Sequence, residues 1–133
     1  MKKRSILLTA ALMAAAALVT GCGEGSGSGG PFEPKDNINW IVTSSPGGGS
    51  DIYTRMISDI MTKENLVNGQ TIIVTNKTDG SGEIGRNEVA NTKGKKADYT
   101  LLTFNSGDLM PMVQNTKNRS SNFRILAILA VDK

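Results

Sequence analysis

Three short polar stretches carry the residues best suited to hold a ligand: Ser44-Ser45-Pro46-Gly47-Gly48-Gly49-Ser50-Asp51, Lys77-Thr78-Asp79-Gly80-Ser81-Gly82 and Asn105-Ser106-Gly107. Glycine lets main-chain amides approach a ligand with no side chain in between. The first stretch ends on Ser50 or Asp51, either of which can cap a helix. Its amides would then gather at a helix amino terminus, where unpaired N–H groups and the helix dipole favour an anion. Turn geometry explains each glycine taken singly. Three such stretches, each directly after an apolar run, point to a shared site.

Other chemistries are excluded by residue type. The chain has no histidine and a single cysteine, Cys22. Zinc sites, Cys/His pairs, Ser/His/Asp triads and disulfides all need residues it lacks. The 12 acidic residues are scattered, with no apolar setting that would raise one carboxyl for acid catalysis. The expectation is a protein that is not an enzyme and holds neither cofactor nor metal. Gly47-Gly48-Gly49-Ser50-Asp51 is not a phosphate-binding loop, since an acid follows the serine and no lysine precedes it. Gly80-Ser81-Gly82-Glu83-Ile84-Gly85 fits G-x-G-x-x-G, but Phe104-Asn105 stand at the end of the next apolar run, where a dinucleotide site wants an acid. The net charge of +3 equals the charge of Lys2, Lys3 and Arg4, so the rest of the chain is balanced. Lys93, Lys95 and Lys96 form no stripe with aromatics and read as a solvated helix end, so no nucleic-acid partner is expected.

Lys2-Lys3-Arg4, the apolar run Ile6 to Val19 and the small residues after it have the three parts of a secretory signal. The run is too short to span a bilayer. Val19-Thr20-Gly21-Cys22 resembles the bacterial lipobox, which makes Cys22 the expected lipid attachment point. Gly23 to Gly30, all Gly and Ser but for Glu24, reads as a flexible tether. The expected divisions are residues 1–21 as lipoprotein signal peptide, 22–36 as lipid anchor and linker, and 37–133 as folded domain. The protein is then exported and anchored to the cell membrane, facing the periplasm or the exterior. A dinucleotide site would be out of place there.

The elements that position the three polar stretches follow from pattern. Ile38 to Thr43, Thr71 to Asn76 and Tyr99 to Phe104 are short runs rich in strand formers, and Arg124 to Ala130 reads as a fourth strand. In Asp51 to Lys63, the residues Ile52, Tyr53, Met56, Ile57, Ile60 and Met61 recur with helical period. That predicts a helix packing this face on a sheet, with Thr54, Arg55, Ser58, Asp59 and Thr62 wet. A weaker helix starts near Glu83 and stops near Gly94. Strands separated by helices predict an α/β fold with a mostly parallel sheet. All three loops would then lie on its carboxyl edge, where open α/β sheets bind ligands.

Trp40-Ile41-Val42 followed by Ser45-Pro46-Gly47-Gly48-Gly49-Ser50-Asp51 resembles the first strand and signature loop of the tripartite tricarboxylate transporter substrate-binding family. Asn76 with Gly80 to Gly85, Tyr99-Thr100-Leu101-Leu102 with Asn105-Ser106-Gly107, and Ile125 to Val131 resemble later segments of that family, in order. Lys77-Thr78-Asp79 and Glu83 depart from its usual second loop. The resemblance implies a partial periplasmic-binding-protein-like lobe of type II, truncated before the second domain. It also implies capture of a small carboxylate for the membrane subunits of a transporter. Ser45, Gly47, Gly48, Gly49 and Asp51 would line that ligand, with Asn105, Ser106 and Gly107 at the next strand end. Half the contacts would come from a second lobe, so this chain alone is not expected to be a competent receptor. The alternative is a lipid-anchored module that binds a partner protein through the same edge.

Overall fold

The computed structural model describes residues 33–114 and 117–131. The expected signal peptide, Cys22 and the tether up to residue 32 lie outside the described residues. The elements run β1 (Ile38–Val42), α1 (Gly49–Lys63), β2 (Ile72–Asn76), α2 (Glu83–Asn91), a single turn α3 (Lys95–Asp98), β3 (Thr100–Thr103), α4 (Ser106–Gln114) and a 3-10 turn (Ser120–Asn122). The strands form one parallel sheet in the order β2-β1-β3. Trp40 stands opposite Val74 on one side and Leu101 on the other.

The mixed α/β class and the parallel sheet are as expected, and each strand falls within a residue or two of its expected bounds. The open sheet with flanking helices agrees with a partial periplasmic-binding-protein-like lobe. Because β1 has neighbours on both sides and helices on both faces, its run Ile-Asn-Trp-Ile-Val is nearly continuous in apolar residues, and Val42 is fully buried. At the sheet edge, β2 alternates between half-buried and exposed positions. Residues 33–36 already touch the folded body: Lys35 N donates to Tyr99 Oη at 3.2 Å, and Asp36 pairs with Lys95 at 2.7 Å.

Helix α1 corrects the expected orientation. Asp51, Thr54 and Ser58 are its buried residues, whereas Ile52, Tyr53, Met56 and Ile60 are exposed. The buried Thr54 hydroxyl is satisfied where it stands. Thr54 Oγ1 donates to Ser50 O at 2.7 Å and lies 2.9 Å from Thr103 Oγ1, which accepts from Trp40 Nε1 at 2.8 Å. Ser58 O accepts from Thr62 Oγ1 at 2.9 Å. Periodicity shows that a helix has one apolar face but not which neighbour that face meets. Here the small Thr54 and Ser58 let the helix lie close over Trp40. Helix α2 covers the opposite face of the sheet, where a Cβ at Gly85 would stand 3.1 Å from Ile41 Cγ2.

Two further differences concern the chain after β3. Helix α4 has no counterpart in the sequence pattern, because Pro111 stands inside it and proline breaks a helical reading. Conversely, Arg124 to Ala130 is not a strand: it joins no ladder, and Ile125, Leu126 and Ile128 are at least 70% exposed. Strand propensity reflects packing against neighbours, and the described residues give this segment none.

The buried face of α1 is open to direct test by denaturant unfolding of the full chain. Ile52→Lys and Met56→Lys should each shift stability by no more than about 0.5 kcal/mol, as surface changes do. Thr54→Leu, at a fully buried site, should cost about 1–3 kcal/mol through overpacking. The reverse ranking would put the apolar stripe inside.

Candidate functional site

Since all three strands are parallel, the turns after them share one edge. At the first, Gly48 N donates to Ser45 O at 3.0 Å, and α1 begins at Gly49 with Gly48 as its N-cap. Ser50 and Asp51 are therefore inside the helix and not its cap, and no side chain caps it. Among the described residues, the first-turn amides of Gly49, Ser50 and Asp51 have no acceptor, as helix geometry dictates. Gly47 has φ +79°, and a Cβ at Gly47 or Gly49 would meet nothing within 4 Å. The loop thus presents bare main chain to open space.

Asp51 shapes this loop from behind. It is 3% exposed, and its carboxylate accepts from Gly47 N at 2.8 Å, Asn76 Nδ2 at 2.9 Å and Arg55 Nε at 3.0 and 3.1 Å. Asn76 also donates to Ser44 O at 2.9 Å and accepts from Arg55 Nη2 at 3.0 Å. The Arg55 hydrogen bond, then the Gly47 amide, hold the Asp51 carboxyl at about 2, down from 3.8; burial opposes them and Asn76 adds to them. With its acceptor capacity used within the protein and its charge matched by Arg55, Asp51 does not set a bare negative charge against an incoming anion. Ser44 Oγ, in the same loop, is buried with no partner among the described residues.

A second knot joins the end of β1 to the second and third loops. Asp108, 6% exposed, accepts through Oδ2 from Thr43 Oγ1 at 3.0 Å and from Asn105 N at 2.9 Å. Its Oδ1 pairs with Nη1 of the fully buried Arg86, which also donates to Ser81 O at 2.9 Å. Gly82, at φ +80°, sits where these meet. A Cβ there would lie 2.7 Å from Thr43 Cβ and 3.0 Å from both Arg86 Nη1 and Asp108 Oδ1. The expected third loop is cut short, since Ser106 and Gly107 already open α4, and Asn105 Oδ1 accepts from Gly107 N at 2.8 Å.

Ser45, Gly47, Gly48, Gly49, Asn105, Ser106 and Gly107 thus all stand along the carboxyl edge. Asn105 and Asp51 hold loop geometry with their side chains, while Ser45, Gly47, Gly49, Ser106 and Gly107 are exposed. A depression of about 210 Å³ lies elsewhere, under α2, lined by Asn39, Lys77, Glu88 and Lys96 among others. Its polar groups are largely spoken for: Lys77 pairs with Glu88, Thr92 Oγ1 donates to Glu88 O, and Thr100 Oγ1 donates to Lys96 O. Among the described residues, no group of three or more acidic, His or Cys side chains is placed to hold a metal, and no helix is long and apolar enough to cross a membrane.

Neither a protein-family model nor a curated protein matches the chain. A solved structure of a periplasmic transporter is similar to part of it. The two are 35% identical over an alignment covering 53% of this chain and 22% of the other, with a TM-score of 0.45. The match therefore spans about a fifth of that protein's length.

Arg86, Asp108, Arg55 and Thr43 escaped the sequence reading of the site. The available signal was the poor apolar face of α2, where Ile84 is exposed and Arg86 buried. A helix short of apolar residues that still lies on a sheet must bury something polar.

Because the folded-state pKa of Asp51 is depressed, its stabilisation is present above about 3.8 and is lost as pH falls toward about 2. Asp51→Asn should remove this part of the acid dependence and lower stability at neutral pH by about 1–3 kcal/mol. Acid titrations of the two proteins that superimpose between pH 4 and 2 would show that Asp51 is not held in this way.

Proposed function

We propose that the chain belongs to an extracytoplasmic solute-binding protein that holds a small carboxylate, a di- or tricarboxylate or related acid, at the carboxyl edge of its sheet. The protein delivers it to a membrane transporter of the tripartite tricarboxylate type. One observation carries this reading: the first-turn amides of α1 lack an acceptor and open onto bare glycine, while the nearby acid Asp51 is already neutralised by Arg55. Amide donors at a helix start, relieved of a competing charge, suit an oxyanion. The order of motifs from Trp40 to Val131 supports the same family. Cys22 would hold the protein to the membrane by lipid.

The exposed stripe Ile52, Tyr53, Met56 and Ile60 favours a second reading, a lipid-anchored module that binds a partner protein. Calorimetry with a panel of carboxylates separates the two, measured on the longest native polypeptide that carries this lobe. Gly49→Val places a branched side chain beside the amides, at a position where a Cβ meets nothing within 4 Å. It should leave folding intact and weaken the carboxylate by about tenfold or more, through steric exclusion and loss of charge-assisted hydrogen bonds. Unchanged affinity in the folded variant moves the site elsewhere, and no carboxylate binding in the unaltered protein leaves the second reading.

Anchoring has its own test. A fatty-acid analogue fed to expressing cells should label the protein, and Cys22→Ser should abolish the label. Equal labelling of both would sink the anchor.

A further inference from the structure

Arg86 and Asp108 lie outside the residues assigned to the ligand, yet they are among the most buried charged groups described, at 0% and 6% exposure. As a source of stability the pair is poor. Ion pairs removed from water are often replaced by apolar residues without loss, and Arg86 Nε and Nη2 are buried with no hydrogen-bond partner, which carries a desolvation penalty. What the pair does, and an apolar pair could not, is bond to several elements at once. Asp108 takes hydrogen bonds from the end of β1 through Thr43 and from the third loop through Asn105 N. Arg86 holds the second loop through Ser81 O and completes the link to Asp108.

We infer that Arg86 and Asp108 are positioning residues that couple the second and third loops to the end of β1, so that a displacement of one loop is transmitted to the others. The coupling belongs to this chain's own geometry; its value for holding a carboxylate rests on the proposed function. Gly82 is part of the device. Its missing side chain lets Thr43, Arg86 and Asp108 converge within about 3 Å of the position a Cβ would take.

Residue-by-residue amide exchange on the full chain tests this by reading each loop while the other is changed. In Arg86→Met, on the helix after the second loop, the Asn105 amide of the third loop should exchange about tenfold faster relative to the Ile41 amide of β1, because its acceptor Asp108 is no longer held. Arg86→Lys, which keeps a donor for Asp108, should restore part of that protection. Asp108→Asn preserves shape and an oxygen acceptor; it should loosen the Gly82 amide relative to Ile41. A role confined to overall stability would change Asn105, Gly82 and Ile41 by one common factor, and that result would overturn the inference. Should Arg86→Met not fold, the Asp108→Asn comparison decides. Failure of both to fold would also overturn it, since the pair would then be a requirement for folding and not a positioning element. The readout needs no ligand, so it can fail while the carboxylate reading stands, and the reverse.

Discussion

A carboxylate taken out of water must find enough donors to replace the water it has lost. Asp108, in the first turn of α4, finds them on three separate segments of the chain: Thr43 at the end of β1, Asn105 just before its own helix and Arg86 behind the second loop. That demand fixes how the loops at the carboxyl edge stand relative to one another. It also dictates the backbone between them, since Gly82 has φ +80° and no room for a side chain. Asp51 solves the same problem locally, with Arg55, Asn76 and the Gly47 amide. The two acids are thus framework for the edge. What they leave facing outward is main chain.

This division of labour bears on recognition. A backbone amide reads an oxyanion but not the rest of the molecule, so an edge built in this way sets the class of ligand, and the remainder of a binding protein sets its identity. The outward stripe of α1 and the apolar segment 125–131 are further surfaces that the described residues leave uncovered. Apolar faces of this extent on a small α/β unit commonly meet other protein.

Much of the architecture was legible before the structure. Short runs rich in β-branched and aromatic residues, separated by a helical pattern and ended by glycine, gave the three strands, their parallel direction and the common edge of the loops. Besides helix α4, three things were hidden, each for a physical reason. Which face of α1 meets the sheet depends on how closely Thr54 and Ser58 allow approach, and a periodic pattern has no information about its neighbour. Segment 124–130 has the composition of a strand, but a strand exists only by pairing. The Arg86–Asp108 bond joins residues 22 positions apart, and nothing in local sequence distinguishes a buried arginine from the usual solvated one. Of the proposed ligand residues, the glycines were legible because backbone exposure follows from residue type. Of the supporting groups, Asp51 was named from the sequence, whereas Arg55, Arg86 and Asp108 become visible only when the loops are assembled.

The proposed reception of an oxyanion by the main chain at the start of α1 is open to direct measurement. Titrating citrate into ¹⁵N-labelled protein and following each amide by NMR tests it most directly, since even a weak complex shifts the resonances of the groups that bind. Saturable shifts are expected on Gly49, Ser50 and Asp51, with smaller ones at Ser106 and Gly107 and none at Trp40 or Val74. Shifts confined to Lys77, Lys96 and the other residues of the depression under α2, or none at the start of α1 at any citrate concentration, would contradict it.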